Sequence, residues 1–246
     1  MQDVIKGVTI SYWYEELKDN PADKVKELEG SLKNILGSPF LINDKQMGTS
    51  ISLPRIEALS AKKDIIFRMS LINTNLIFEI NGNKDYDEVM LLINEQVQLG
   101  FDILKDIYDA QILYSSIKID LSKEDSNAND YLKEKLNLRE EDYENISLKK
   151  VFVKNDYYFS YIINSVQEFN VDITTNDSDK RNLFDRAMLV SLSNAQKGGK
   201  YLNKCIEIND RHRYNCDSEY RTSKNDLRGM IKEFKELLMN DNDELI

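Results

Sequence analysis

At 246 residues, with 41% hydrophobic and 31% charged residues, the chain has the composition of a globular protein and the length to bury about 70–75% of its unfolded surface, which excludes a disordered chain. One histidine, two cysteines and nine glycines leave few of the groups on which most catalysis and most phosphate-binding loops depend. The formal charge of −10 opposes nucleic acid and anionic membranes wherever charge is not segregated.

Residues 4–14 alternate, with Val4, Val8, Ile10, Tyr12 and Tyr14 at even positions, the period of a half-buried strand. Asn20-Pro21 then starts a helix over 21–36: Asn caps, Pro occupies the first position, and Ala22, Val25, Leu28, Leu32, Ile35 and Leu36 make one face. Gly37 supplies the stop. After a turn-rich stretch, strands are predicted at 49–53, 64–71 and 74–80, ended by Asn81-Gly82-Asn83.

The spacing of Val89, Met90, Ile93, Val97, Phe101, Leu104 and Tyr108 predicts a long helix over 86–108, and Gly100 inside it marks a close crossing with a neighbour. A strand at 111–121 and an acidic helical insertion near 127–137 follow. Further strands are predicted near 147–154, 157–165, 167–175, 186–193 and 201–209, with Lys197-Gly198-Gly199-Lys200 as a tight hairpin turn. Ser223, with Asp226 three residues on, caps a closing helix over 223–239.

Strands followed by one long amphipathic helix occur near 48–108 and again near 147–239. The expected fold class is therefore α+β in two similar halves, 1–125 and 146–246, mainly antiparallel sheet with helices on it, joined through 126–145 and possible as one continuous domain. No apolar run nears the ~20 residues that span a bilayer, so no membrane role is expected. The N-terminus lacks a basic region followed by an apolar stretch, and few cysteines suit a reducing compartment, which points to the cytoplasm.

Four words carry a resemblance: Pro54–Leu59 (PRIEAL), Met69–Ile80 (MSLINTNLIFEI), Leu113–Leu121 (LYSSIKIDL), and the close formed by Lys200–Asp210 with Asp226–Leu238. With the helix 86–108 they resemble a sporadically distributed family of uncharacterised prokaryotic proteins, over about two-thirds of the chain. The family has no assigned activity, so no residue role carries over. Asp87–Met90 and Ser115–Ile119 stand where the family often has an early helix tryptophan and an arginine-rich strand. The resemblance implies an accessory or inhibitory role in conflict between a prokaryote and its virus.

Catalytic constellations are thin. Cys205, His212 and Cys216 lie within twelve residues, but spacings of seven and four match no standard zinc motif, and no metal or other cofactor is expected. His212 with Cys216 is the available Cys–His pairing, in a segment with the polar character of a loop. Glu16-Leu17-Lys18 and Glu233-Phe234-Lys235 are the words open to a metal-dependent nuclease.

Binding chemistry is better represented. Asp120–Asn145 holds nine acids against four bases, and Lys197–Arg228 eight bases against five acids. Within the basic segment, Arg211, Arg213, Tyr214, Tyr220, Arg221 and Lys224 interleave cations with tyrosines, a pattern open to RNA. Trp13, between Tyr12 and Tyr14, is a candidate interface aromatic, set against a plain core role. The reading is a non-catalytic protein-binding protein, with a nuclease and an RNA-binding module as alternatives.

Overall fold

Alternation in the first segment produces β1 (Val4–Tyr14), whose Val8, Ile10, Tyr12 and Tyr14 are buried on one face. The computed structural model describes residues 3–44, 50–82, 84–137, 146–170 and 196–239. Its other strands are β2 (Phe40–Asp44), β3 (Ile56–Ser60), β4 (Ile65–Met69), β5 (Asn73–Glu79), β6 (Ile112–Glu124), β7 (Ser147–Lys154), β8 (Tyr157–Asn170) and β9 (Gln196–Asn209). All pair antiparallel in a single nine-stranded sheet ordered β2-β3-β4-β5-β1-β6-β9-β8-β7. The α+β class holds as one continuous sheet, with β1 and β6 side by side in its middle.

The helices are α1 (Val25–Leu36), α2 (Tyr86–Asp102), α3 (Ala128–Lys135), α4 (Arg211–Cys216) and α5 (Lys224–Met239). A 3₁₀ turn, Pro21–Lys24, leads into α1, and Asn20 accepts from the Ala22 amide as a cap (3.3 Å). Gly37 closes α1 with φ of 72°, a conformation open to glycine. Asp85 and Glu88 form a reciprocal capping box on α2, and Ser223 with Asp226 forms the one expected on α5 (2.9 and 3.3 Å). The predicted helix 86–108 is α-helical only to Asp102, and Ile103–Ile107 widen into a π turn. Lys24 Nζ caps that turn at the Ile107 carbonyl (2.8 Å), and the Tyr108 hydroxyl donates to the Pro21 carbonyl (3.1 Å).

Buried side chains of α1, α2, α3 and α5 join those of one sheet face in a single core cluster. Tyr12 Oη donates to the Val97 carbonyl of α2 (2.6 Å), which ties the central strand to the helix crossing it. Phe67, Phe159, Tyr161 and Phe234 are among the largest fully buried side chains. Outward positions of opposite parity behave differently. They are exposed or half-buried, and among the described ones only the small Ser11 and Ser116 are buried. Among the described residues the protein is a two-layer structure with one sheet face left uncovered by α1, α2, α3 and α5.

Several expectations change. The strand predicted at 49–53 is a turn where the structure describes it (50–53), and two short strands flank it at Phe40–Asp44 and Ile56–Ser60. β2 and β3 take their pairing from neighbours across the sheet, which their local pattern does not display. Lys197–Lys200 is not a hairpin turn but lies inside β9. Its glycines serve close approach and irregular pairing: a Cβ at Gly199 would meet the Tyr201 ring at 3.1 Å, and the β8–β9 register shifts between Gln167 and Phe169. The polar segment after Asn209 holds the short helix α4 instead of a plain loop. The predicted strand 186–193 and most of 167–175 lie outside the described residues; 167–170 continue β8.

Gly30 offers a test of how α1 sits. A Cβ there meets nothing within 4 Å, and the residue is exposed in mid-helix. Gly30→Ala is expected to stabilise the protein by about 0.5–1 kcal/mol, read as a raised urea midpoint at unchanged slope.

Candidate interface on the uncovered sheet face

Register places the outward side chains in straight rows across the strands. One row runs Asn73–Trp13–Tyr114 on β5, β1 and β6. Trp13 stacks on Tyr114 with centroids 4.7 Å apart and planes 19° apart. Tyr214 of α4 stands 6.1 Å from Tyr114, and the Arg211 guanidinium lies 5.4 Å from the Tyr114 ring centroid. His212 meets Tyr158 of β8 edge-on at 5.2 Å. The corner is thus built from β1, β6, β8 and α4, and its aromatics are half-buried. Burial pushes the Tyr114 phenol up, and Arg211 partly opposes that.

Beyond this corner, polar side chains of neighbouring strands pair across the face. Ser11 donates to Asn75 (2.7 Å), Ser122 to Asn203 (2.7 Å) and Ser147 to Asn164 (2.5 Å). A shallow cleft of about 380 Å³ is lined by Lys6, Asp120, Ser122, Asn164, Asn203 and Cys205. Burial and the neighbouring Asp120 push the Cys205 thiol up to about 12, so it stays protonated and a poor nucleophile. Opposite charges alternate here. Glu57 pairs with Arg68 (2.7 Å), Asp120 with Lys118 (3.0 Å), and Glu207 and Arg211 both act on Tyr114. The face carries matched charge on a protein of net −10.

The seven sequence-predicted binding residues divide. Trp13, Arg211 and Tyr214 meet at the aromatic corner. Arg213, Tyr220, Arg221 and Lys224 instead fasten the segment 210–226 to the body. Arg213 lies over the Tyr157 ring (4.5 Å) and pairs with Asp226 (2.5 Å). Arg221 pairs with Glu15 and donates to the carbonyls of Ser218 (2.7 Å) and Tyr220 (2.9 Å). Lys224 pairs with Asp102 of α2 (2.6 Å), and Tyr220 donates to the buried Asp210 (2.9 Å).

Asp210 is the hub of that fastening and carried no sequence signal. Only 1% exposed, it accepts from the Ser115 amide (2.6 Å), the Tyr220 hydroxyl (2.9 Å) and Thr222 Oγ1 (2.8 Å). The three donors stand at sequence separations that no local motif spans. Tyr114 was legible in principle, since it shares its parity with Ser116, Lys118 and Asp120 in β6.

Of the residues considered for catalysis, Glu233 and Lys235 hold structural contacts, and His212 and Cys216 stand side by side. Glu233 accepts from Asn155 Nδ2 (2.9 Å) and faces Lys154 (3.7 Å), while Lys235 pairs with Asp87 (2.9 Å). Cys216 Sγ lies 3.9 Å from His212 Nδ1 in exposed α4, and Cys205 stands on β9 beside Asp120. Among the described residues, no group of three or more His, Cys, Asp or Glu side chains is placed to hold a metal ion. No described helix is long and apolar enough to cross a membrane. No protein-family model matches this chain, and no curated protein is similar to it in sequence.

Proposed function

We propose that the chain is a non-catalytic binding protein that holds a protein partner on its uncovered sheet face, anchored at Trp13, Tyr114, Tyr214 and Arg211. The observation that carries this reading is the half-buried Trp13–Tyr114 stack, with Arg211 beside it, on the face that the main helices leave open. Aromatic and arginine side chains supply most of the energy at protein interfaces. Matched charge on that face favours a protein over RNA, whose phosphates require a run of unpaired cations. The sequence resemblance adds the setting: an accessory or inhibitory role in conflict between a prokaryote and its virus.

The chain order supports two similar halves as the origin of this platform. In each, a central strand (β1 or β6) leads through a helix to a sheet edge. A meander then returns inward, β2-β3-β4-β5 or β7-β8-β9, and a long helix closes the unit on the covered face. The uncovered face then spans both units.

Trp13 is the single tryptophan, so its emission reports this corner directly. A photo-crosslinking residue at Tyr114, in the native host, is expected to capture a discrete partner. The same residue at Leu91, 71% exposed on α2, captures none, and Trp13→Ala reduces the Tyr114 adduct about tenfold, near 1.4 kcal/mol. Single-stranded RNA is expected to leave Trp13 emission unchanged. Equal capture from both positions, or a salt-dependent quench by RNA, defeats the reading.

A further inference from the structure

The half of the uncovered face built from β2 to β5 has outward residues that are aliphatic where water is expected. Cross-strand register aligns Leu41, Leu59, Ile66 and Ile77 in one straight row, and Asn43, Glu57, Arg68 and Asn75 in the adjacent row. Leu41 is 66% exposed and the other three aliphatics are half-buried. In β4 the run Ile65-Ile66-Phe67 is apolar on both faces, the composition of a strand covered twice. Solvated antiparallel sheet normally turns polar side chains outward, so this row is shaped for a cover.

The aliphatic row reads the same from either end, and the polar row read from one end is the charge complement of itself read from the other. Aliphatics occupy all four places in one; amide, acid, base, amide occupy the other. A two-fold axis between β3 and β4, parallel to the strands, brings a second sheet face to face with the first. It sets Leu59 over Ile66 and Leu41 over Ile77 of the other copy. The same operation sets Glu57 over Arg68, and Arg68 over Glu57, while Asn43 meets Asn75. Within one copy Glu57 and Arg68 already pair at 2.7 Å, so two copies close a square of alternating charge. Two-fold contacts are isologous and demand this self-complementarity. A body of net −10 meets its like with least repulsion where its surface charge is matched.

We propose that this chain self-associates through the β2–β5 part of its uncovered face, with a second copy as the occupant. The patch is distinct from the aromatic corner and stands without the partner proposed there. Strands about 5 Å apart carrying outward residues about 7 Å apart give it a small footprint. That falls below the roughly 800 Å² per partner of a standard interface, and the dimer is weak, of micromolar order or above.

The test is sedimentation of the full chain from about 1 µM to about 1 mM, a range that brackets weak association. The wild type is expected to pass from monomer to dimer. E57R places two cations in the polar row and R68E two anions, so each alone loses association about tenfold or more. An equimolar mixture of the two regains it as a mixed dimer, a result that loss of the internal ion pair cannot imitate. Leu41→Lys, on an exposed edge-strand position that a monomer tolerates, provides a second reading if either charge variant fails to fold, and is expected to be monomeric. A wild type that remains monomeric throughout overturns the proposal. So does a mixture no more associated than its components, or a Leu41→Lys variant that dimerises like the wild type.

Discussion

Asp210→Ala is expected to destabilise the protein by about 3–4 kcal/mol, because it orphans several buried donors at once. The Ser115 amide is fully buried and Thr222 is 3% exposed, so neither is well placed to exchange its lost acceptor for water. Each buried group left without a partner costs about 1–3 kcal/mol. For a chain of this size that is a fall of roughly 10 °C in Tm. The effect reaches the candidate interface, since Asp210 fixes the start of α4 and the residues 220–222 against β6. The Arg213 amide also donates to the Asp210 carbonyl (3.0 Å), so the helix carrying Arg211 and Tyr214 hangs from this residue.

Asp210→Asn separates hydrogen bonding from charge. Its carbonyl oxygen can face the Ser115 amide while its amide donates to the hydroxyls of Tyr220 and Thr222, so a smaller loss of about 1 kcal/mol is expected. Burial pushes the Asp210 carboxyl above the ordinary carboxylate range, against the donors that lower it. The folded chain therefore holds this proton more tightly than the unfolded chain does. That contribution to stability is full below the ordinary value near ~3.9 and is lost as pH rises through the raised folded-state pKa. Asp210→Asn has no such proton. The stability of the wild type relative to Asp210→Asn should therefore fall as pH rises across that window. Denaturant titrations at several pH values check it, and a difference that grows with pH would contradict the assignment.

Gly100→Val should cost about 3 kcal/mol, the upper range for adding bulk to a filled core. A Cβ at this position would lie 2.9 Å from Leu76 Cδ1, 2.9 Å from Tyr12 Cε2 and 3.0 Å from Tyr12 Oη. Tyr12 is fully buried and held by its bond to the Val97 carbonyl, so it cannot retreat without breaking that bond. Gly100→Ala gains about 1 kcal/mol of helix propensity and still meets the same atoms, so a net loss of about 1 kcal/mol is expected. Urea midpoints rank the two variants against Gly30→Ala, where the same added methyl meets open space and should stabilise. A Gly100→Ala variant at least as stable as the wild type would show that α2 does not cross the sheet this closely.

Strong local periodicity was the legible part of this fold. β1, β7 and the helices α1, α2 and α5 follow from alternation, three-and-four spacing and capping residues, all of which act between near neighbours in the chain. The role of Gly100 as a crossing point was also visible, because a glycine inside a regular helix needs a steric reason. The short strands β2 and β3 were not, although the equally short β4 was. β2 and β3 are five residues each, and their hydrogen bonds depend on strands brought alongside by the rest of the sheet. The pair Gly198-Gly199 reads as a turn in isolation and lies within strand β9, whose pairing with β8 continues on both sides of it.

For the site, residue chemistry indicated which side chains suit binding and which reactions lack their groups, and it singled out Trp13, Arg211 and Tyr214. Strand order alone put Trp13 beside Tyr114, a hundred residues on in the chain, and α4 over them. It also turned four other candidates into fastenings, because an arginine or lysine near a carboxylate is held by it, and proximity is a property of the folded chain. Composition, periodicity, caps and the scarcity of reactive groups are written residue by residue and were readable from the chain alone. Which face of the sheet α1, α2, α3 and α5 leave open and which rows cross it emerge on folding, since register between distant strands is set when their buried sides meet.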